Sequence, residues 1–570
     1  MTTPVDVLVR GTVVDVLTGT LEERAIAIDD GEVVAFGERP ATREFEADYI
    51  APGLINAHMH IESTMLTLPR YAEAVVPHGV TSIIADPHEI GNVLGADGVR
   101  ALCRDNERTP LKARFAVPSC VPATDLQTAG ARIGPEEVAS LCQEADVVAL
   151  GEVMDTPALL SGDATIHEKI RIALEAGLRI DGHLSGISGD DLQEAARYLD
   201  NDHESRTAET AREKARAGLR LHLREGSSSP NLEALLPIIE EIDSRRLSLC
   251  TDNFYVDDLQ DHAGIDEAVQ SVIAAGVDPI TAVQLATVNT ADAYGLPFGR
   301  IAPGAPADLV LLADLATWDV EHVMIDGELD PSMGSTPNVK RPAVFEHDTV
   351  QFDPVSPAAL AHTANTSQPH LVRAIDHTGQ LASETTGRVP AADGVLQANV
   401  EADLLPTAVI ERHGNGSAIG TGFVHGFGLQ RGAIASTVAH DAHNLVVVGA
   451  SHTAMASLAN HLREVGGGLG VYAPEIEGDK GERPEMTTLE LPIAGLLSSE
   501  PSAVVARKLA AVDDAAHDLG LSLPDGVMEL DNLTLEVIPE LRLTDRGLVD
   551  VQAGSIVDVV LDVGPESDES

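Results

Sequence analysis

The sequence predicts an α/β protein: a (β/α)8 TIM-like barrel, flanked by a small β-sandwich built from both sides of the barrel, plus a C-terminal α/β domain. Three observations lead there. Eight strand-like runs alternate with helical stretches over roughly 250 residues, the size and count of such a barrel. Polar residues with chemical potential stand where those runs end, which is where this fold places its functional groups. Short strands of similar texture precede and follow the alternating region.

Residues 1–50 read as short β-strands, with Asp30-Gly31 as a hairpin turn. Segment 301–345 repeats that texture in 301–312 and 322–328, so the two flanks are expected to pair into the sandwich. Between them, 51–300 is the barrel. Its strands are expected to end at His58, Asp86, Ser119, Glu152, His183, His203, about His222, and Asp252, with helices over 166–176, 208–217 and 265–275 among the separators. From 346 to 570 the register changes into the second α/β domain. Segment 356–383 is polar and aperiodic and reads as a connection or an edge. Strand or helix signals resume at 421–428, 445–449 and 454–465, and the Asp/Glu/Ser-rich tail after Val560 reads as disordered.

The charge is unusual. Ninety acidic residues face 37 basic ones, a net of −53, and only six of the basic residues are Lys. The acids are dispersed and form no long block, so they do not read as an acidic tail. A dispersed acidic surface poor in Lys fits a halophile's cytoplasm, where salt screens self-repulsion over a few ångströms. The same field repels nucleic acid and anionic membranes, which argues against either as a partner. No charged, then apolar, leader opens the chain and no apolar run reaches about 18 residues, so a soluble, unexported, cytoplasmic protein is expected. Cys103, Cys120, Cys142 and Cys250 form no CxxC pair, which suggests neither a disulfide framework nor a thiolate zinc site.

The chemistry starts at His58 and His60. They follow the mostly apolar run from Tyr49 to Ile55, and alternate residues of a strand share a face, so both imidazoles can converge on one point. An isolated HxH is also what two unrelated polar residues at a strand end look like. Collecting the strand ends adds Glu152, His183, His203 and Asp252. Four imidazoles and two carboxylates from five strands can surround two divalent ions, which lower the pKa of a shared water from 15.7 towards about 7.

Several motifs together resemble the adenine deaminases of the amidohydrolase superfamily. They are PGLINAHMHIESTML (52–66), ADPHEIGNVLG (85–95), GEVMDTP (151–157), DGHLSGISGDDL (181–192), DHES (202–205), CTDNFYVDDL (250–259), GVDPITAVQLATVNTADAYGL (276–296) and GFVHGFGLQRGAIASTVAHDAHN (422–444). The resemblance spans nearly the whole chain and, with the acidic composition, suggests a halophilic archaeon as source. It implies hydrolysis of adenine to hypoxanthine and ammonia in purine salvage, by a soluble homo-oligomer acting on a small molecule. It also implies two divalent ions, Mn²⁺ first, with Fe²⁺ or Zn²⁺ as alternatives. Carried over, His58 and His60 hold one ion with Asp252, Glu152 bridges, and His183 and His203 hold the second. Many relatives bridge with a carboxylated Lys at the end of strand four; here that place holds Glu152, whose carboxylate needs no modification. Asp252 serves as base, and His88 or Glu89 as acid or substrate contact.

Two departures bear on substrate. Asn253-Phe254-Tyr255-Val256 stands where the family usually has Asp-Arg-His-Pro, and His183-Leu184-Ser185-Gly186 where Ala-Pro more often precedes the Gly. A related amidohydrolase acting on another purine or a cyclic amide is therefore the competing reading, ahead of a non-catalytic purine-binding barrel. In the C-terminal domain, His440-Asp441-Ala442-His443-Asn444 offers donors without a visible third and fourth ligand, so a structural or interface role is expected there. Gly466-Gly-Gly-Leu-Gly470 reads as a turn, because no GK[ST] follows it.

Overall fold

A computed structural model describes residues 4–332, 340–378, 382–475 and 484–563. Eight parallel strands form the barrel wall: Leu54–Met59, Val80–Ala85, Lys112–Val117, Val147–Val153, Arg179–Gly182, Asn201–Asp202, Arg220–Arg224 and Leu247–Cys250. The first five are hydrogen-bonded in chain order, as are the last three. The two groups meet where Asp200 N–H donates to Ile180 O at 2.8 Å. The ring closes where Asp252 N–H donates to His58 O at 3.0 Å and His60 N–H to Asp252 O at 3.3 Å. Leu54–Met59 and Val80–Ala85 are buried along their whole lengths. Their apolar residues therefore do not alternate with exposed polar ones: even Asn56, His58, Thr81 and Ser82 are buried, as befits parallel strands covered on both faces.

Helices Ala164–Glu175, Ala208–Arg216 and Ile265–Ala274 lie within a residue or two of their predicted spans. The first two begin at side-chain caps: Asp163 accepts from Thr165 N–H and Ile166 N–H, and Thr207 accepts from Thr210 N–H. The seventh strand runs to Arg224, two residues past His222. Two residues is one strand period, so Arg224 points to the same side as His222 but further out, at the mouth.

The flanks join as one continuous seven-stranded sheet. The N-terminal strands Val5–Asp15, Thr20–Asp29, Glu32–Phe36 and Ala41–Pro52 pair with Leu309–Asp314, Asp319–Ile325 and Glu328–Leu329 through contact of Ala41–Pro52 with Leu309–Asp314. The sheet rolls up until Val33 N–H donates to Ala305 O and Ala307 N–H to Gly31 O, at 3.0 and 2.9 Å. The two layers of the sandwich are thus two ends of a single rolled sheet around Val7, Val9, Ile26, Ile28, Leu309 and Leu311.

The C-terminal domain is built on a nine-stranded sheet whose central strands, Leu404–Ile410 and Leu445–Gly449, are fully buried. Helix His452–Val465 packs Leu458 and Leu462 against Leu445 and Val447 of that sheet. The polar stretch 356–383 is not merely a connection: it contains strand His370–Asp376, paired antiparallel with Ser383–Val389. Near this side of the sheet alternate positions are half exposed, so the strand's polar residues hid its period. Val560–Val563, expected in a disordered tail, is a strand paired with His370–Val372; the rest of the tail lies outside the described residues.

This domain sits on the strand-end face of the barrel. Ser498 N–H donates to Met65 O at 2.7 Å and Thr67 N–H to Ser498 O at 3.1 Å. Asn444 Nδ2 donates to Thr128 O at 2.9 Å, and Thr128 N–H to Asp545 Oδ1 at 2.9 Å. Among the described residues no helix is long and apolar enough to cross a membrane.

Candidate metal centre

Five strand ends bring His58, His60, Glu152, His183, His203 and Asp252 into one buried cluster. Glu152 is at its centre. Its Oε2 lies 2.8 Å from His183 Nδ1, 3.1 Å from His203 Nε2 and 3.8 Å from His58 Nε2, while its Oε1 lies 3.6 Å from His60 Nε2. Asp252 Oδ1 is 3.0 Å from His60 Nε2 and 3.5 Å from His58 Nε2. Asp252 holds a left-handed backbone conformation, φ 59°, in the turn just after its strand, a region Asp tolerates better than most residues.

The donor set fits metal. His58 Nε2 and His203 Nε2 are buried without a hydrogen-bond partner. Such atoms are costly unless something else satisfies them. His60 Nδ1 is 2.9 Å from the Asp86 carbonyl oxygen, to which it can only donate, leaving the Nε2 lone pair for the cluster. Donor atoms group within 4.8 Å of one another as His58–His60–Glu152, His58–His203–Asp252 and Glu152–His183–His203, overlapping sets that can hold two ions.

Electrostatics keep both acids ionised. Burial pushes the Glu152 carboxyl up, but the imidazoles of His183, His203 and His60 outweigh it and hold the group well below the ordinary carboxylate range. Burial acts likewise on Asp252 and is outweighed by the Arg224 guanidinium, with His58 and His60 adding to it. Arg224 Nη1 donates to both Asp252 Oδ2 and Glu204 Oε1.

Arg224 and Glu204 are residues that sequence reasoning missed. The signal was present: Arg224 follows His222 by one strand period, and Glu204 adjoins His203. His222 itself is buried inside the barrel, both ring nitrogens without partners, and burial with nearby His58 and His203 holds it neutral. Asp86, read from the sequence only as a strand end and as part of a motif, accepts the Glu152 N–H at 2.8 Å. Gly151 permits this approach, since a Cβ there would stand 2.2 Å from Asp86 Oδ2.

A cavity of about 870 Å³ opens above the cluster, between barrel and C-terminal domain. His60, His88, Glu152, His183 and Asp252 line its floor, and His440, Asp441, Met528, Asp531 and Leu535 line its roof. Of the pair His88 and Glu89, only His88 reaches this wall. Glu89 is fully buried behind it, accepts from Ser63 Oγ at 3.1 Å and faces His443 Nε2 at 3.7 Å, a placement for positioning rather than for substrate contact. The 440–444 segment is a loop, not a strand, so Asp441 and His443 do not share a face: Asp441 faces His88 and His443 faces Glu89.

Residues 49–329 match the amidohydrolase family and residues 381–555 the adenine deaminase C-terminal domain. Barrel and site together thus define a metal-dependent hydrolase of the amidohydrolase class. The chain is 38% identical over 581 residues to the adenine deaminase of Moorella thermoacetica, covering 98% of this chain and 96% of that one. It is 40% identical over 553 residues to the adenine deaminase of Methanothrix thermoacetophila, covering 95% and 94%. The chain belongs to the adenine deaminase family.

Proposed function

We propose that this enzyme hydrolyses adenine to hypoxanthine and ammonia, replacing the 6-amino group by oxygen. The observation behind this reading is the convergence of six donors from five strands, with Glu152 central, on the floor of a cavity large enough for a purine. Similarity along the whole chain to adenine deaminases supports the substrate.

His58, His60 and Asp252 would hold one divalent ion, His183 and His203 the second, with Glu152 shared. When bound, the ions supply Lewis-acid charge and acidify a water at neutral pH. The N/O donor set without thiolate suits Mn²⁺, with Fe²⁺ and Zn²⁺ as alternatives. Asp252, held ionised by Arg224, accepts the proton released as oxygen attacks C6. His88 delivers a proton to ring N1, and the proton that Asp252 has taken passes to the 6-amino group as it departs as ammonia. His88 Nδ1 stands 3.5 Å from both Asp86 Oδ1 and Glu152 Oε1, and its Nε2 lies on the side of Asp441 in the cavity roof.

Asn253 and Tyr255 also line the cavity, and this observation keeps another purine or a cyclic amide as the second reading. Initial rates on adenine, adenosine, cytosine and hydantoin separate the two. Adenine is expected to lead by at least about 100-fold in kcat/KM, a ratio within reach of polar recognition in a closed site. A flat profile, or hydantoin ahead, would overturn the assignment.

A further inference from the structure

We infer that the chain has a third metal site, built jointly by the two domains and separate from the pair at the strand ends. Its ligands are Nε2 of His88 from the barrel, with Nδ1 of His440 and Oδ1 of Asp441 from the C-terminal domain, and it takes one divalent cation.

The geometry is that of an open three-ligand site. Asp441 Oδ1 lies 3.7 Å from His88 Nε2 and 3.8 Å from His440 Nδ1. One donor atom from each of the three residues lies within 4.8 Å of the others. Ligands around a tetrahedral ion with bonds of ~2.1 Å stand roughly 3.4 Å apart, so a small inward movement closes the ring. None of these three pairs makes a hydrogen bond in its place, and Asp441 Oδ2 is buried without a partner.

Both imidazoles are oriented for it. A ligating His presents one nitrogen to the metal and turns the other N–H towards a carboxylate or carbonyl. His88 turns Nδ1 towards Asp86 and Glu152, at 3.5 Å each. His440 turns Nε2 towards Asp531 Oδ2, at 3.9 Å. His88 Nε2 and His440 Nδ1 are the ring nitrogens that stand within 4 Å of Asp441 Oδ1. The loop is held in register by Thr534 Oγ1 donating to His440 O at 2.6 Å and His440 N–H donating to Asp531 O at 3.1 Å.

Two imidazoles, one carboxylate and a side open to the cavity match a zinc-type or manganese-type centre that keeps a position for water or substrate. His440 and Asp441 looked like half a site in the sequence; the missing ligand comes from the barrel, more than 300 residues earlier in the chain.

One consequence rests on the proposed function. If His88 Nε2 delivers the proton to the substrate, a cation on that nitrogen removes the donor. Activity should rise with the first two equivalents of metal and fall by about 100-fold or more with the third, the lower end of a general acid's contribution.

Equilibrium dialysis of the chelator-stripped full chain against Zn²⁺ in molar KCl, with metal counted by mass spectrometry, tests the site. High salt screens loose binding to the acidic surface. Wild type should bind a third equivalent, and His440→Ala and Asp441→Asn should each stop at two. Wild type that stops at two, or variants that still bind three, would overturn the proposal. The wild-type count needs no variant, so a substitution that fails to fold cannot shelter it. Three ions bound with undiminished adenine turnover would leave the site standing and remove His88 from the proton-donor role.

Discussion

The barrel contributes His60, Glu152, His183 and Asp252 to the cavity, with His58 and His203 in the same donor cluster, from the ends of five strands, whereas the C-terminal domain contributes His440 and Asp441 from a loop and Asp531 from the 3-10 helix Gly526–Thr534. The floor is positioned by the hydrogen-bonded wall itself: Asp252 N–H bonds the His58 carbonyl, and His60 N–H the Asp252 carbonyl. The roof is positioned by scattered side-chain bonds, such as Asn444 to Thr128 and Thr534 to His440. A floor built on strands holds reacting groups to tighter tolerance than a roof built on loops. The floor should therefore be where substitutions abolish chemistry, and the roof where they tune access, metal load and stability.

The sharpest way to break this contrast is at Asp252. Asp252→Asn should lower kcat by on the order of 10³-fold, through loss of the base and weakening of one ion's ligand set. A variant within tenfold of wild type would mean that the floor does not do the chemistry. Arg224→Gln comes next. It removes the charge that holds Asp252 and Glu204, and about 10- to 100-fold in activity or metal affinity should be lost, as for other supports of metal ligands. An unchanged titration of activity against Mn²⁺ would show that Arg224 is only structural.

The same contrast can be sharpened through stability. Lys214 Nζ donates to Asp202 Oδ2 at 2.6 Å, both groups buried beneath the sixth strand. Lys214→Met removes the charge opposite that buried carboxylate, which keeps only the N–H groups of Leu184 and Glu204, and should cost about 3–5 kcal/mol in denaturant unfolding. A loss below about 1 kcal/mol, the range of exposed ion pairs, would put the barrel wall's rigidity elsewhere.

At the seam between floor and roof, burial pushes the Glu536 carboxyl up to about 8, with Asp441 adding to the effect. Its ordinary value is 4.5. Between those values the folded chain keeps a proton that the unfolded chain has released, so this group's contribution to stability falls as pH rises. Glu536→Gln should therefore flatten the decline in melting temperature between pH 5 and about 8. Parallel profiles for the two proteins would contradict the placement.

How much of this was readable in advance follows from the same physics. The barrel strands announced themselves as short strand-like runs alternating with helical stretches, and the fold then places strand ends together, so six donors spread from His58 to Asp252 could be grouped without coordinates. Arg224 escaped because the seventh strand was ended one period early. Asp86 escaped because its role is to hold a backbone N–H, which leaves no mark beyond the adjacent Gly151. The roof could not be read in this way. No periodicity relates His88 to Asp441, or Tyr255 to Asp531, whose Tyr255 Oη–Asp531 Oδ2 separation is 3.4 Å; only the docking of two domains brings them together. Glu89 illustrates the converse: beside His88 in sequence, it turns the other way on the first turn of helix His88–Asp105 and ends up behind the wall.

The most direct test of the central claim is ammonia release from adenine by the Mn²⁺-loaded chain in molar KCl, measured beside Glu152→Gln. Wild-type turnover that the variant loses by on the order of 10³-fold or more, with depleted metal, is the result expected of a carboxylate shared by two ions. Equal rates from both proteins, or no release from adenine by a wild-type chain holding two ions, would contradict it.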